Sequence, residues 1–121
     1  MTPLEVGQRL VELCRQGKNV EAIQTLYADD IVSVEAGAPP GGDPVSLGKA
    51  AVLGKAAWWT DNHVVHSASS DGPYPHGDRF AVRYTYDVTF KPRDQRFTMN
   101  EVALYTVKDG KVVREEFFYA M

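Results

Sequence analysis

The sequence predicts an α+β fold in one domain, and three observations predict it. Apolar residues recur at helical spacing in the first part of the chain, and they alternate with period two from His63 onward. The second part is cut by turn clusters with no further helical stretch between them, so helices come first and a meander of strands follows. At 121 residues the chain has the length of a single domain, able to bury roughly two-thirds of its unfolded surface without staples or metals.

Thr2-Pro3-Leu4-Glu5 reads as a capping box with proline at the first helical position, and Val6, Leu10, Leu13 and Cys14 then share one face as far as Gly17. Asn19 caps a second helix with the stripe Ile23, Leu26 and Tyr27, which Ala28-Asp29-Asp30 closes before the β-branched run Ile31-Val32-Ser33-Val34-Glu35. Residues 36–44 hold three prolines and three glycines and form a loop. Ser46 precedes a third helix, with Leu47, Ala51 and Trp58 at helical spacing and Asn62 as its stop. Strands follow, with turns at 71–78, 91–95 and 108–110. The clearest strand sets Phe80, Val82, Tyr84, Tyr86, Val88 and Phe90 against Ala81, Arg83, Thr85, Asp87 and Thr89.

A net charge of −3 with no basic run lacks the electrostatic footprint of a nucleic-acid binder or a membrane-surface protein. The N-terminus has neither the basic nor the apolar region of a signal peptide, so a soluble, cytoplasmic protein is expected. Cys14 stands alone and is a core filler on helix one; no Cys/His spacing suggests zinc. His63 and His66, three apart on a strand, face opposite sides and share no metal, which leaves one of them free to line a pocket, whereas His76 sits exposed in a turn. Gly-rich 37–42 lacks the Lys-Ser/Thr of a phosphate-binding loop. Neither a metal nor a cofactor is expected. Trp58 and Trp59 point to different sides of helix three, with core packing the default for both and a lid over a cavity the alternative for one.

Strand register carries the functional reading, because a slip of one residue exchanges the faces of a strand. A three-residue turn at 108–110 pairs Val107 with Lys111 and sets Ala103 opposite Glu115. It gathers Phe97, Met99, Ala103, Tyr105 and Val107 with Val113, Phe117 and Tyr119 on one face, and carries Glu101 and Glu115 inward with them. A two-residue turn would mix that face with Arg114 and Glu116. Pairing Phe90 with Phe97 then sets Tyr86 opposite Glu101. Two carboxyls in an apolar setting raise each other's proton affinity, so one of them stays protonated near neutrality and can donate a hydrogen bond.

Several strings resemble the nuclear transport factor 2-like superfamily, which includes ketosteroid isomerases and SnoaL-like polyketide cyclases. They are Gln8-Arg9-Leu10-Val11 leading to Gly17, Leu26-Tyr27-Ala28-Asp29-Asp30, Gly77-Asp78-Arg79-Phe80, and Asp109-Gly110-Lys111-Val112-Val113. The resemblance implies one domain over 1–121, a cone with three N-terminal helices packed on a strongly curved, mainly antiparallel sheet. It also implies a small apolar organic ligand in the mouth of the cone and a homodimer through the sheet's outer face, where Arg83, Thr85, Asp87, Arg114 and Glu116 fall. The isomerases' general base corresponds to Glu35, their oxyanion-holding tyrosine to Leu10, and their partner acid to Ala103, one same-face step from Glu101. The cyclases' terminal acid meets only Tyr119-Ala120-Met121. Neither family's usual arrangement is therefore complete. The expectation is a cofactor-independent isomerase-, dehydratase- or cyclase-like enzyme with Glu35 as base and Glu101 and Tyr86 as oxyanion donors. Trp58, Trp59, Tyr84, Met99, Tyr105, Glu115, Phe117 and Tyr119 complete the expected cavity. A noncatalytic ligand-binding or dimerisation module of the same fold is the alternative.

Overall fold

A computed structural model describes residues 1–38 and 41–120. Three helices, α1 (Pro3–Arg15), α2 (Asn19–Leu26) and α3 (Lys49–Asn62), accompany six strands among the described residues. The strands are β1 (Tyr27–Val34), β2 (Val45–Leu47), β3 (His63–His76), β4 (Arg79–Phe90), β5 (Gln95–Lys108) and β6 (Lys111–Phe118). They form one sheet in the order β2-β1-β6-β5-β4-β3, antiparallel except for the β1–β6 pair. The result is the α+β cone expected. No helix among the described residues is long and apolar enough to cross a membrane.

At the start of α1, the Thr2 hydroxyl accepts from the Glu5 amide at 3.2 Å, and the Glu5 carboxylate accepts from the Thr2 amide at 2.9 Å, which satisfies two of the orphan donors of the first turn. The helix buries Val6, Leu10, Val11 and Leu13 against the sheet, where Phe80, Val82, Ala103, Tyr105 and Val112 wait. At Gly7 a side chain has no room: a Cβ there would stand 2.9 Å from the Pro73 ring and 3.0 Å from Phe80.

Several boundaries differ from the sequence expectation. β1 begins at Tyr27, four residues early, because the segment after α2 runs straight into pairing with β6. Val45–Leu47 forms β2 on the sheet edge, so α3 starts only at Lys49, after Gly48 with φ +91°. Most of the turn expected at 71–78 is strand, and β3 reaches β4 through Gly77 and Asp78 alone. Pro39 and Pro40 of the expected 36–44 loop lie outside the described residues, as does Met121.

Both expected hairpin registers are off, by two residues in the β4–β5 hairpin and, in the β5–β6 hairpin, by one next to the turn and by two beyond a bulge. The last turn is Asp109-Gly110, with both residues at positive φ (52° and 75°), so Lys108 pairs with Lys111. A bulge follows between Val112 and Arg114, after which Tyr105 faces Glu115 and Ala103 faces Phe117. The bulge supplies the one-residue correction that a two-residue turn needs: Arg114 stays outside, and Val112 rather than Val113 is the core residue. In the β4–β5 hairpin the short 3₁₀ turn Lys91–Arg93 and left-handed Asp94 pair Phe90 with Gln95, which sets Tyr84, not Tyr86, opposite Glu101. An offset of two preserves the face, so Glu101 and Glu115 do point inward.

Candidate functional site

Between the sheet and the helices lies a cavity of about 1600 Å³, lined by every residue assigned to it from sequence: Glu35, Trp58, Trp59, Tyr84, Tyr86, Met99, Glu101, Tyr105, Glu115, Phe117 and Tyr119. Two clusters of polar groups and one isolated acid stand out in its lining.

The first cluster is built around Lys55. Its ammonium donates to the Ser33 hydroxyl at 2.5 Å and to Glu35 Oε1 at 2.8 Å, and it lies 5.2 Å above the Phe117 ring. Glu35 Oε2 accepts from the Tyr119 hydroxyl at 2.9 Å, so both oxygens of this carboxylate are engaged. The Ser33 hydroxyl donates a hydrogen bond to Glu115 Oε1 at 2.7 Å, which leaves only its lone pairs for Lys55. The other Glu115 oxygen accepts from the Tyr27 hydroxyl. Glu115 is 2% exposed, and burial raises its proton affinity against the pull of those two donors and of Lys55. Tyr119 is pushed up to about 12, mainly by burial and then by Glu35.

The second cluster is the floor, where the Tyr84 and Tyr105 hydroxyls share a hydrogen bond of 2.7 Å and Cys14 Sγ lies 3.9 Å from the Tyr84 oxygen. Burial raises both tyrosines well above their usual range, and it raises the Cys14 thiol as well.

Glu101 is the isolated acid. It is 9% exposed, and among the described residues neither of its oxygens has a hydrogen-bond partner. Burial first, then the charges of Glu35 and Glu115, push its carboxyl up to about 7, with Lys55 pulling the other way. Tyr86 lines the same wall without a hydrogen bond to it, its own hydroxyl raised by burial and by Glu101.

The mouth is aromatic. Trp59 stacks on His63 at 4.3 Å between ring centroids and leans on Tyr86 at 5.6 Å, while Trp58 stands 55% exposed beside Phe90. Neither tryptophan is core, which corrects the default reading of both: α3 buries only Val52 and turns its tryptophan pair toward the opening. His63 is the histidine that lines the cavity, with Nδ1 donating to the Trp59 carbonyl at 2.7 Å. His66 is exposed and bonds Thr89 instead. Among the described residues no group of three or more His, Cys, Asp and Glu is placed to hold a metal ion.

A family model described as the SnoaL-like domain matches residues 1–119. The chain belongs to the SnoaL-like domain family. Solved structures similar to this SnoaL-like domain include a candidate SnoaL-like polyketide cyclase from Mesorhizobium loti, whose name also carries the label carbohydrate phosphatase. That protein is 47% identical, with 98% of this chain and 100% of that chain covered and a TM-score of 0.93. A candidate isomerase from Bacillus subtilis is 15% identical, with 99% and 90% covered and a TM-score of 0.79. A Catenulispora acidiphila protein of ketosteroid isomerase-like fold, solved in complex with trimethylamine, is 21% identical, with 100% and 88% covered and a TM-score of 0.74. No curated protein matches the SnoaL-like domain described here. Its place in the nuclear transport factor 2-like superfamily agrees with the sequence strings.

Three residues of the SnoaL-like site escape the sequence reading: Lys55, Ser33 and Tyr27. Lys55 had a legible signal, since Val52, Lys55, Ala56 and Trp59 follow the i, i+3, i+4, i+7 stripe of a buried helix face, and a lysine inside such a stripe needs a partner. Ser33 alternates inward with Ile31 in β1. Tyr27 falls on the apolar stripe of the second helix in the sequence, whereas the fold places it at the start of β1, within reach of Glu115.

Proposed function

We propose that this SnoaL-like domain moves protons on a small, largely apolar carbonyl compound without a cofactor, as an isomerase-, dehydratase- or cyclase-type enzyme. The observation that carries this reading is the Glu101 carboxyl, unpartnered, facing an apolar cavity and poised at about 7, where a group takes and returns a proton most readily at neutral pH. This reading assigns the roles differently from the sequence expectation. Glu35, with both oxygens held by Lys55 and Tyr119, serves to place Lys55, and Glu101 is the base. Glu101 removes a proton from the carbon next to the carbonyl, and the C–H electron pair moves toward the carbonyl oxygen. Lys55, with one N–H left after Ser33 and Glu35, stabilises the resulting oxyanion. The protonated Glu101 then returns the proton to another carbon, so the reaction needs no oxidant. Tyr86 shapes the wall beside it.

The test needs no known substrate. A panel of cyclic ketones and enones in deuterated buffer should show enzyme-dependent deuterium uptake next to the carbonyl, reduced about 10²-fold in Glu101→Gln. Uptake that is unchanged in the variant removes Glu101 as the base.

A second reading, a noncatalytic ligand-binding module, is supported by the size of the cavity and by the trimethylamine held by the Catenulispora protein of the same fold. In either reading we place a homodimer contact on the outer face of the sheet. What supports it is the row Arg83, Val102 and Phe118 across β4, β5 and β6, in which Val102 is 41% and Phe118 51% exposed.

A further inference from the structure

We propose that the cavity binds small organic cations, with an alkylammonium group against the Glu101 carboxylate and its alkyl substituents on the wall formed by Tyr84, Tyr86 and Trp59. Among the described residues four carboxyl groups line this cavity; exposed Asp43 accepts from the Val45 amide, and of the other three two are already matched. Glu35 is paired with Lys55, and Glu115 is held by the hydroxyls of Tyr27 and Ser33. Glu101 alone faces the space with no donor and no cation of its own while being nine-tenths buried. A ligand that supplies positive charge there replaces the hydration Glu101 has lost; a neutral ligand leaves the ionised acid uncompensated, and an anion meets Glu35, Glu101 and Glu115 with Lys55 already engaged.

The wall has the right chemistry for such a ligand. Tyr84 is the cross-strand partner of Glu101, Tyr86 stacks on Tyr84 at 6.1 Å between centroids, and Trp59 leans on Tyr86 at 5.6 Å. Aromatic faces attract an ammonium through the ring quadrupole and pack well against its methyl groups. The proposal does not rest on catalysis. It does predict that a bound cation occupies the group read above as the proton carrier.

The groups acting on Glu101 are Glu35 and Glu115, which oppose its ionisation, and Lys55, which favours it; the Tyr86 and Cys14 protons are held more tightly than usual by burial. His63 also lines the cavity, its ring stacked on Trp59. Because the cation prefers the ionised acid, its affinity should rise with pH until about 7 and then level off.

Both tryptophans of the chain line the cavity, so their fluorescence reports occupancy directly. The probes are benzyltrimethylammonium, whose charge does not titrate, and neopentylbenzene, its neutral isostere. At pH 8 the cation should bind at least tenfold more tightly than the isostere, and its affinity should fall about tenfold per unit well below pH 7. Glu101→Gln should lose both the preference and the pH dependence while still binding the isostere, which shows the cavity intact; His63→Gln should keep both. Equal affinity for the two probes, failure of both to bind, a preference that survives in Glu101→Gln, or a pH dependence that vanishes in His63→Gln would each overturn the proposal. Binding is read without turnover, so a failed deuterium-uptake assay leaves this result standing, and the reverse also holds.

Discussion

The lack of a partner at Glu101 fixes the sign of a pH effect on stability. Its carboxyl is raised to about 7 in the fold and relaxes to an ordinary value in the unfolded chain. Such a group favours the fold fully below its unfolded value, and that contribution is lost as the pH climbs through about 7. Between pH 4 and pH 8 the loss is about 3 kcal/mol, and buried Glu115, raised as well, adds a slope of the same sign. Glu101→Gln should therefore flatten the decline: the difference in unfolding free energy between pH 4 and pH 8, from urea titrations, should shrink by about that amount relative to the parent. An unchanged difference would mean that Glu101 is solvated. At this scale the sequence was legible where alternation was strict, and it put Glu101, Tyr84 and Tyr105 inside. It was silent where partners come from distant elements. The hydrogen bond that Ser33 donates to Glu115, and the lysine this leaves Ser33 free to accept, join β1, β6 and α3, and no local pattern announces that meeting.

The packing of α1 on the sheet turns on Gly7. Replacing glycine by alanine inside a helix ordinarily stabilises it by about 1 kcal/mol. Here the added methyl would press on the Pro73 ring at 2.9 Å and on fully buried Phe80 at 3.0 Å, and neither is a flexible chain end able to move aside. Overpacking of this kind costs about 1–3 kcal/mol and outweighs the propensity gain. Gly7→Ala should lower the urea midpoint with an unchanged slope, whereas a raised midpoint would show that β3 yields. The same scale explains why the sequence located the strands and their faces but not their registers. Hydrophobic alternation has period two, so displacements of two residues, such as those at Phe90–Gln95 and at Tyr105–Glu115, leave the pattern of burial untouched. The bulge after Val112 is likewise invisible to alternation, because a two-residue turn with a bulge and a three-residue turn without one turn the same side of β6 inward. Val45–Leu47 was missed for a different reason: three residues are too few to show any period, and only pairing with β1 makes them a strand.

For the molecule as a whole, the outer face of the sheet sets the proposed state of association. Phe118 stands half exposed in a row with Val102 and Arg83, an arrangement suited to a second copy of the same surface. Sedimentation at micromolar concentration should give a dimer, and Phe118→Glu should give a folded monomer with its tryptophan emission unaltered. A parent that sediments as a monomer would leave the outer face free. The inner side has a different kind of asymmetry. The floor groups Tyr84, Tyr105, Glu101 and Glu115 belong to β4, β5 and β6, whose backbones are hydrogen-bonded to neighbours on both sides. Lys55, Trp58 and Trp59 ride on α3, which starts at a glycine without a side-chain cap and buries Val52 alone. Beside Val52 only the half-buried Leu53 and Ala56 pack that helix on the core, so the helix wall of the cavity is less deeply held than its floor. The charge of Lys55 is thus carried by a different layer from the acids of the floor, and its bonds to Ser33 and Glu35 tie the helix wall of the cavity to the sheet.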